Sequence, residues 1–235
     1  MRLYIIRHGD PDYANDSLTE RGEQEAQALA AYLPELGLTH LYCSPLGRAQ
    51  RTCAPCAERL RLPVCTLPWV RELTGIYYDI PVLGHVAPFT VPGEEMFRLS
   101  PTPKYEGWQQ QLYFDDPRFA ALVREMEEGS DALLASHGYA REGALYRVNE
   151  PNEHRVAVFC HQGIGTTWLA HLLHLPYQAA WAGLWQACTS ITSISMECRS
   201  DAWAVPRMIG MSETPHITLA GLPHNECGLA RNIVG

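Results

Sequence analysis

The sequence predicts an α/β protein: a mostly parallel sheet with helices on both faces and an inserted cap region. Three observations carry that expectation. Short, almost wholly apolar runs, residues 3–6 and 156–160 among them, read as strands buried on both sides. Stretches with apolar residues at helical spacing follow them. Between about residues 76 and 154 this alternation breaks down, which marks the insertion within a single domain spanning 1–235. A chain of 235 residues, 46% hydrophobic and 19% charged, can bury a substantial core and is far from a disordered or fibrous composition.

Residues 3–6 form the first strand and run into Arg7-His8-Gly9. The stretch 16–38 reads as a helix, since Leu18, Ala26, Leu29, Ala30, Leu33 and Leu36 recur near a 3.6-residue period. Thr19 supplies its cap, Gly22 is a weak spot in its first turn and Gly37 stops it. Residues 40–43 are a second strand. Ser44-Pro45 opens a second helix, which Pro55 is expected to kink or end early. Residues 64–70 are a third strand. Pro81, Pro88, Pro92, Pro101 and Pro103 make the first half of the insertion irregular. Phe119, Leu122, Val123 and Met126 then mark a helix from about Pro117, and 138–148 reads as a hairpin. Residues 156–160 are a fully apolar strand, followed by His161-Gln162-Gly163 and a helix through Leu175; 189–196 and 204–211 are two closing strands.

Acidic residues outnumber basic ones by 26 to 18, a net charge of −8, and no basic run breaks that balance. Nucleic acid is therefore excluded as the expected partner, whereas a small anion can still bind where a few arginines converge. The longest apolar stretch, 168–185, is interrupted by His171, His174, Pro176 and Gln178, so no membrane span is expected. Without a leader pattern the expected location is cytoplasmic, and the eight cysteines, lacking a regular framework, are expected to be reduced thiols in the core.

In an open parallel sheet, ligands bind beyond the carboxyl ends of the strands. There the first strand delivers Arg7 and His8, and the second delivers Arg48 in the first turn of its helix. The third delivers Arg71 and Glu72, and the 156–160 strand delivers His161. Two histidines, several arginines and a carboxylate on one edge suit phosphoryl transfer through a histidine. One imidazole attacks phosphorus, arginines neutralise its oxygens, and a carboxyl group protonates the leaving oxygen. Other residues compete for these roles. Arg51 lies one turn from Arg48, and Asp79, Glu94 or Glu95 could stand in for Glu72. Cys53 and Cys56 have redox-motif spacing but fall inside a helix, where core packing is expected. His171 and His174 lie one helical turn apart without a third metal ligand nearby.

Taken in order, Arg7-His8-Gly9, Leu18-Thr19 with Gly22, Ser44-Pro45-Leu46-Gly47-Arg48-Ala49 and His161-Gln162-Gly163 resemble the successive signatures of the histidine phosphatase superfamily, also called phosphoglycerate mutase-like. The resemblance covers about the first 75 residues and the block 155–175, with a weaker echo at 212–217; the insertion has no counterpart. It implies that His8 is the nucleophile and forms a phosphohistidine that water hydrolyses. Arg7, Arg48 and His161 would clamp the phosphoryl oxygens, and Glu72 would serve as general acid and then base. Asn15, between the first two motifs, is a candidate hydrogen-bond donor to the phosphoryl group. No metal or other cofactor is expected, because the arginines supply the positive charge. The superfamily's mutases carry an extended Glu-Arg-His-Tyr-Gly block and a His-Gly-Asn block. This chain has Glu72-Leu73-Thr74-Gly75 and His161-Gln162-Gly163 instead, with Asp10-Pro11-Asp12-Tyr13 after the first motif. Hydrolysis of a small-molecule phosphomonoester is thus expected over mutase transfer or a catalytically silent phosphate-binding scaffold. Aromatic residues of the insertion, such as Tyr77, Tyr78, Phe89, Phe97, Trp108 and Tyr113, either line its pocket or form the cap's own core.

Overall fold

The computed structural model describes residues 1–80, 84–200 and 202–229; Pro81 lies outside them. In chain order the elements are β1 (Arg2–Arg7), β2 (Pro11–Asp12), β3 (Ser17–Leu18), α1 (Glu20–Tyr32), β4 (His40–Cys43), α2 (Gly47–Leu60), β5 (Val64–Thr66), β6 (Tyr78–Ile80), β7 (Gly84–Val86) and α3 (Gly93–Leu99). There follow α4 (Pro117–Ser136), β8 (Tyr139–Glu142), β9 (Leu145–Val148), β10 (Arg155–Cys160), α5 (Gln162–Leu173), α6 (Tyr177–Gly183), β11 (Ile191–Cys198), β12 (Trp203–Glu213) and α7 (Pro215–Leu219).

Eight strands form the central sheet in the order β5-β4-β10-β1-β11-β12-β9-β8. The first four run parallel, and the antiparallel strands β11, β12, β9 and β8 extend that core on one side. Strand alternation divides the apolar residues between two layers. Leu3, Ile5, Val156 and Val158 face the layer that holds Trp168 and Leu169 of α5 and Phe119 of α4. Tyr4, Ile6, Ala157 and Phe159 face the layer of Leu29 from α1 and Ala49 and Cys53 from α2. Helices therefore cover both faces, as the buried runs require.

Several boundaries shift, each for a local reason. The first helix starts at Glu20, because Thr19 Oγ1 accepts the Gly22 N–H at 3.1 Å and Ser17–Leu18 pairs with Pro11–Asp12. Gly22 is a requirement and not a weak spot, since a Cβ there would collide with the Asp10 carbonyl. The second helix begins at Gly47, past Pro45, and continues through Pro55 to Leu60 at the cost of one intrahelical bond. The third strand stops at Thr66, and Pro68–Val70 turns as a 3₁₀ segment.

The excursion is narrower than 76–154. Only its first part, with the small hairpin of β6 and β7 and the short helix α3, is irregular. From Asp116, which caps α4 by accepting the Arg118 N–H at 2.8 Å, the chain rejoins the main body. Ser130 of α4 accepts the Trp168 Nε1–H of α5 at 2.6 Å. Strand β9 pairs with β12, matching Tyr146 to Ala204, so the hairpin belongs to the central sheet. Its sheet partner lies far downstream, beyond the reach of a local reading. Five cysteines are buried, but Cys65 and Cys198 are exposed and Cys227 is half-buried, which corrects the expectation of a fully internal set. Among the described residues no helix is long and apolar enough to cross a membrane.

Candidate active site

Strands β4, β10 and β1 are adjacent and parallel, so their carboxyl ends open side by side. The residues that follow are Ser44, His161 and His8. His8 is 2% exposed, and its Nδ1 lies 2.7 Å from the carbonyl oxygen of Gly9. A carbonyl only accepts, so Nδ1 carries the ring hydrogen and Nε2 keeps its lone pair. Arg48 donates its Nε–H to that same Nε2 at 3.3 Å. Burial, reinforced by the Arg7 charge, pushes His8 down to about 3, so the ring is neutral at neutral pH.

His161 sits at the cap of α5, fully buried, with Nε2 2.7 Å from Ser44 Oγ and its ring 5.0 Å from that of His8. Its Nδ1 is buried without a partner among the described residues, as is Arg7 Nε. Burial and the neighbouring His8 hold His161 well below the ordinary imidazole range. Arg7 is fixed through backbone acceptors from distant segments: one Nη donates to the carbonyls of Gln186 at 2.6 Å and Cys227 at 2.9 Å. The Cys227 thiol lies 3.7 Å from the other Nη.

Arg48 is steered by Asp16, whose two carboxylate oxygens accept an Arg48 Nη–H and the Gly47 N–H, both at 2.6 Å. Asn15 is not brought to this cluster. It is exposed, and its amide donates to Asp12 Oδ2 at 2.7 Å within a turn. The polar residue that the 12–16 turn sends inward is the next one along, where φ is 45°. Tyr13 lies over the Arg48 guanidinium, 5.5 Å from ring centre to Cζ.

Glu72 occupies the amino end of α5. Its Oε1 accepts the N–H groups of Leu73 at 3.0 Å and Ile164 at 2.8 Å, and Oε2 accepts that of Gly163 at 3.0 Å. Two of these are otherwise unpaired first-turn donors, so the carboxylate caps the helix that His161 begins. Gly163 permits the approach: a Cβ there would lie 2.6 Å from the Phe89 ring and 2.7 Å from Glu72 Oε1.

The competing residues are engaged elsewhere. Asp79 meets His85 at 3.1 Å, Glu95 pairs with Arg98 at 2.7 Å, and Glu94 is exposed. Arg51 pairs with Glu23 on the surface, while Arg48 is 7% exposed and turned inward. His171 has both ring nitrogens occupied, by Asp131 at 2.9 Å and Tyr105 at 3.2 Å. Cys53 and Cys56 are buried in α2. Of the insertion's aromatic residues, Trp108 is core, packed edge-on against Phe119, and Phe89 lies against Gly163. The sequence reading missed Ser44, Asp16, Gln186 and Cys227. Asp16 could have been found as the other polar side chain of its turn, whereas a carbonyl acceptor leaves no mark in residue identity.

Residues 3–79 match the family model of the histidine phosphatase superfamily (branch 1). The probable phosphoglycerate mutase GpmB of Enterobacter sp. (strain 638) is 30% identical over 167 residues, covering 60% of this chain and 71% of that protein. The chain belongs to the histidine phosphatase superfamily. Solved structures share the fold over nearly the whole chain. The mycobacterial glucosyl-3-phosphoglycerate phosphatase in complex with VO3 superposes with a TM-score of 0.58 at 23% identity, covering 89% of this chain and 97% of that one. The phosphoserine phosphatase of Entamoeba histolytica in complex with 3-phosphoglyceric acid gives 0.60 at 16% identity, covering 92% and 98%. As a superfamily member the chain is a phosphoryl-transfer enzyme.

Proposed function

We propose that this superfamily member hydrolyses small phosphomonoesters, without a metal ion, through a phosphohistidine on His8. One observation carries the reading: Gly9 holds the hydrogen on Nδ1, which leaves Nε2 as the free electron pair beside the Arg48 Nε–H. In the first step Nε2 attacks phosphorus and the ester P–O bond breaks, with Glu72 giving a proton to the leaving oxygen. Arg7, Arg48 and the unpartnered Nδ1 of His161 take up the phosphoryl oxygens. In the second step water attacks phosphorus, Glu72 accepts its proton, and the N–P bond breaks to release phosphate. Asn15 would join only if its turn reorganised, so it is left out of this scheme.

A cavity of about 370 Å³, lined in part by Phe89, Gln162, Leu184 and Trp185, adjoins the amino end of α5 and suits an apolar or sugar portion of the ester. Mutase transfer is the second reading, favoured by the name of the GpmB relative. The departures at Leu73-Thr74-Gly75 and Gln162-Gly163 favour hydrolysis. Hydrolysis of p-nitrophenyl phosphate in EDTA, with wild type and His8→Ala side by side, tests the proposal. Turnover that vanishes in the variant supports it. A wild type that releases no phosphate but interconverts phosphoglycerates would establish the mutase instead.

A further inference from the structure

The opposite edge of the sheet, where β4 and β10 begin, gathers three histidines from separate segments. His40 opens β4, His137 ends α4, and His154 immediately precedes β10. Their ring centres lie 4.8 Å (His40–His137), 4.7 Å (His40–His154) and 5.1 Å (His137–His154) apart. One ring nitrogen from each lies within 4.8 Å of the others. His137 is buried, while His40 and His154 are half-buried, so the cluster remains reachable from water.

Outer hydrogen bonds orient these rings. Thr39 Oγ1 lies 2.8 Å from His40 Nδ1 and 3.2 Å from the Arg155 carbonyl, and with its hydrogen on that carbonyl it accepts from His40 Nδ1. That leaves the lone pair of His40 on Nε2. Tyr42 OH lies 3.1 Å from His137 Nε2, and with the ring hydrogen on Nε2, donated to the Tyr42 oxygen, the lone pair of His137 is on Nδ1. That Nδ1 faces His154 Nδ1 across 3.0 Å. Two lone pairs at that distance repel unless a proton or a cation lies between them. Tetrahedral zinc with bonds of about 2.0–2.1 Å places its nitrogens roughly 3.4 Å apart, which small rotations of these rings would reach.

We propose that His40, His137 and His154 form a binding site for one divalent ion of the zinc class, with water completing the tetrahedron. An all-imidazole set suits zinc, nickel or copper over magnesium or calcium. Thr39 and Tyr42 are the outer partners that fix ligand tautomers. The six residues of β10 separate this cluster from His161, about 20 Å at strand rise. The ion would therefore tie the end of α4 to the starts of β4 and β10, remote from phosphoryl transfer.

Untagged protein, stripped with EDTA and desalted, is titrated with zinc chloride by calorimetry and with cobalt(II) by absorption. The expected result is one ion per chain, tetrahedral d–d bands without a thiolate charge-transfer band, and a higher melting temperature. His154→Ala and His40→Gln should each abolish the saturable site, and Tyr42→Phe, which keeps the fold, should weaken it about 10-fold. Absence of saturable binding to wild type overturns the proposal, as does full binding by the His40→Gln, His154→Gln double variant. A thiolate band would also overturn it, by assigning the ion to the Asp10, Cys188 and Cys227 groups that approach one another elsewhere.

Discussion

Arg48 Nε and His8 Nε2 face each other across 3.3 Å, and the arginine is held in that pose by Asp16 behind it. The proposed nucleophile and its charge partner are thus aligned by side chains of the 12–16 turn and of α2. Arg48→Lys keeps a positive charge but loses the planar fork that spans both partners. We predict a fall in kcat of roughly 100-fold on p-nitrophenyl phosphate. Asp16→Asn should give a smaller loss, because the Arg48 charge survives. Equal rates for Arg48→Lys and wild type would remove this arginine from the phosphoryl site.

Glu72 caps α5 and is also the proposed general acid. Glu72→Gln should barely slow the first step with p-nitrophenyl phosphate, whose leaving group needs little protonation, and should slow alkyl phosphates far more. The same change weakens the cap of α5 and should cost about 1–3 kcal/mol of stability. Rates on the two ester classes, corrected for folded protein, separate these effects. A uniform loss across leaving groups would strip Glu72 of the acid role.

Acid sensitivity follows from the buried imidazoles. An unfolded histidine gains its proton below about 6.5, whereas folded His8 resists until about 3. Through that window the unfolded chain binds more protons than the folded one, so stability rises with pH and is lost as pH falls from 6.5. His161, held low by the same burial, adds to the slope. Each such group contributes about 1.4 kcal/mol per pH unit inside the window. Urea unfolding at pH 7.0 and 5.0 measures it, and His8→Ala should shrink the difference without abolishing it. Equal stability at both pH values would contradict the neutral buried pair.

Orthovanadate should inhibit competitively with the phosphomonoester, since both present oxygens to Arg7, Arg48 and His161. EDTA should leave kcat unchanged while lowering the melting temperature of zinc-loaded protein. An EDTA-sensitive kcat, restored by zinc, would place a metal in the reaction itself.

Gly163→Ala should damage activity far more than Gly143→Ala. The first drives a methyl group against Phe89 and Glu72, at a cost of about 1–3 kcal/mol and with displacement of the acid. The second meets no neighbour but sets alanine at φ +64, at about 1–2 kcal/mol of backbone strain, in the β8–β9 turn, and should spare activity. Melting curves and kcat for the two variants provide the comparison.

Much of this arrangement was legible from local pattern. The two-sided apolar runs at 3–6 and 156–160 demanded central strands, and strand ends in a parallel sheet delivered Arg7, His8, Arg48 and His161 together. Glu72 was expected at the carboxyl edge from a strand over 64–70, but its seat at the amino end of α5 was not legible, because that strand ends at Thr66 and Pro68–Val70 turns as a 3₁₀ segment. Asn15 and Asp16 differ by one position in a turn, where backbone φ decides which side chain points inward, and spacing carries no such information. The carbonyls of Gln186 and Cys227 that hold Arg7 could belong to any residue type. The hairpin of β8 and β9 looked like part of the insertion because its partner strand comes so much later in the chain.

Strand β10 is hydrogen-bonded along both edges, to β1 and β4, and so behaves as a ruler with a fixed graduation. Its length sets the position of His161 at one end and of His154 at the other. Deleting a single residue from 156–159 would turn Val156 and Val158 toward the wrong apolar layer and drag one of the two histidines out of place. Changes of length are best absorbed in the irregular stretch before Asp116. Loop grafting belongs there, and the central strand is the part to leave untouched.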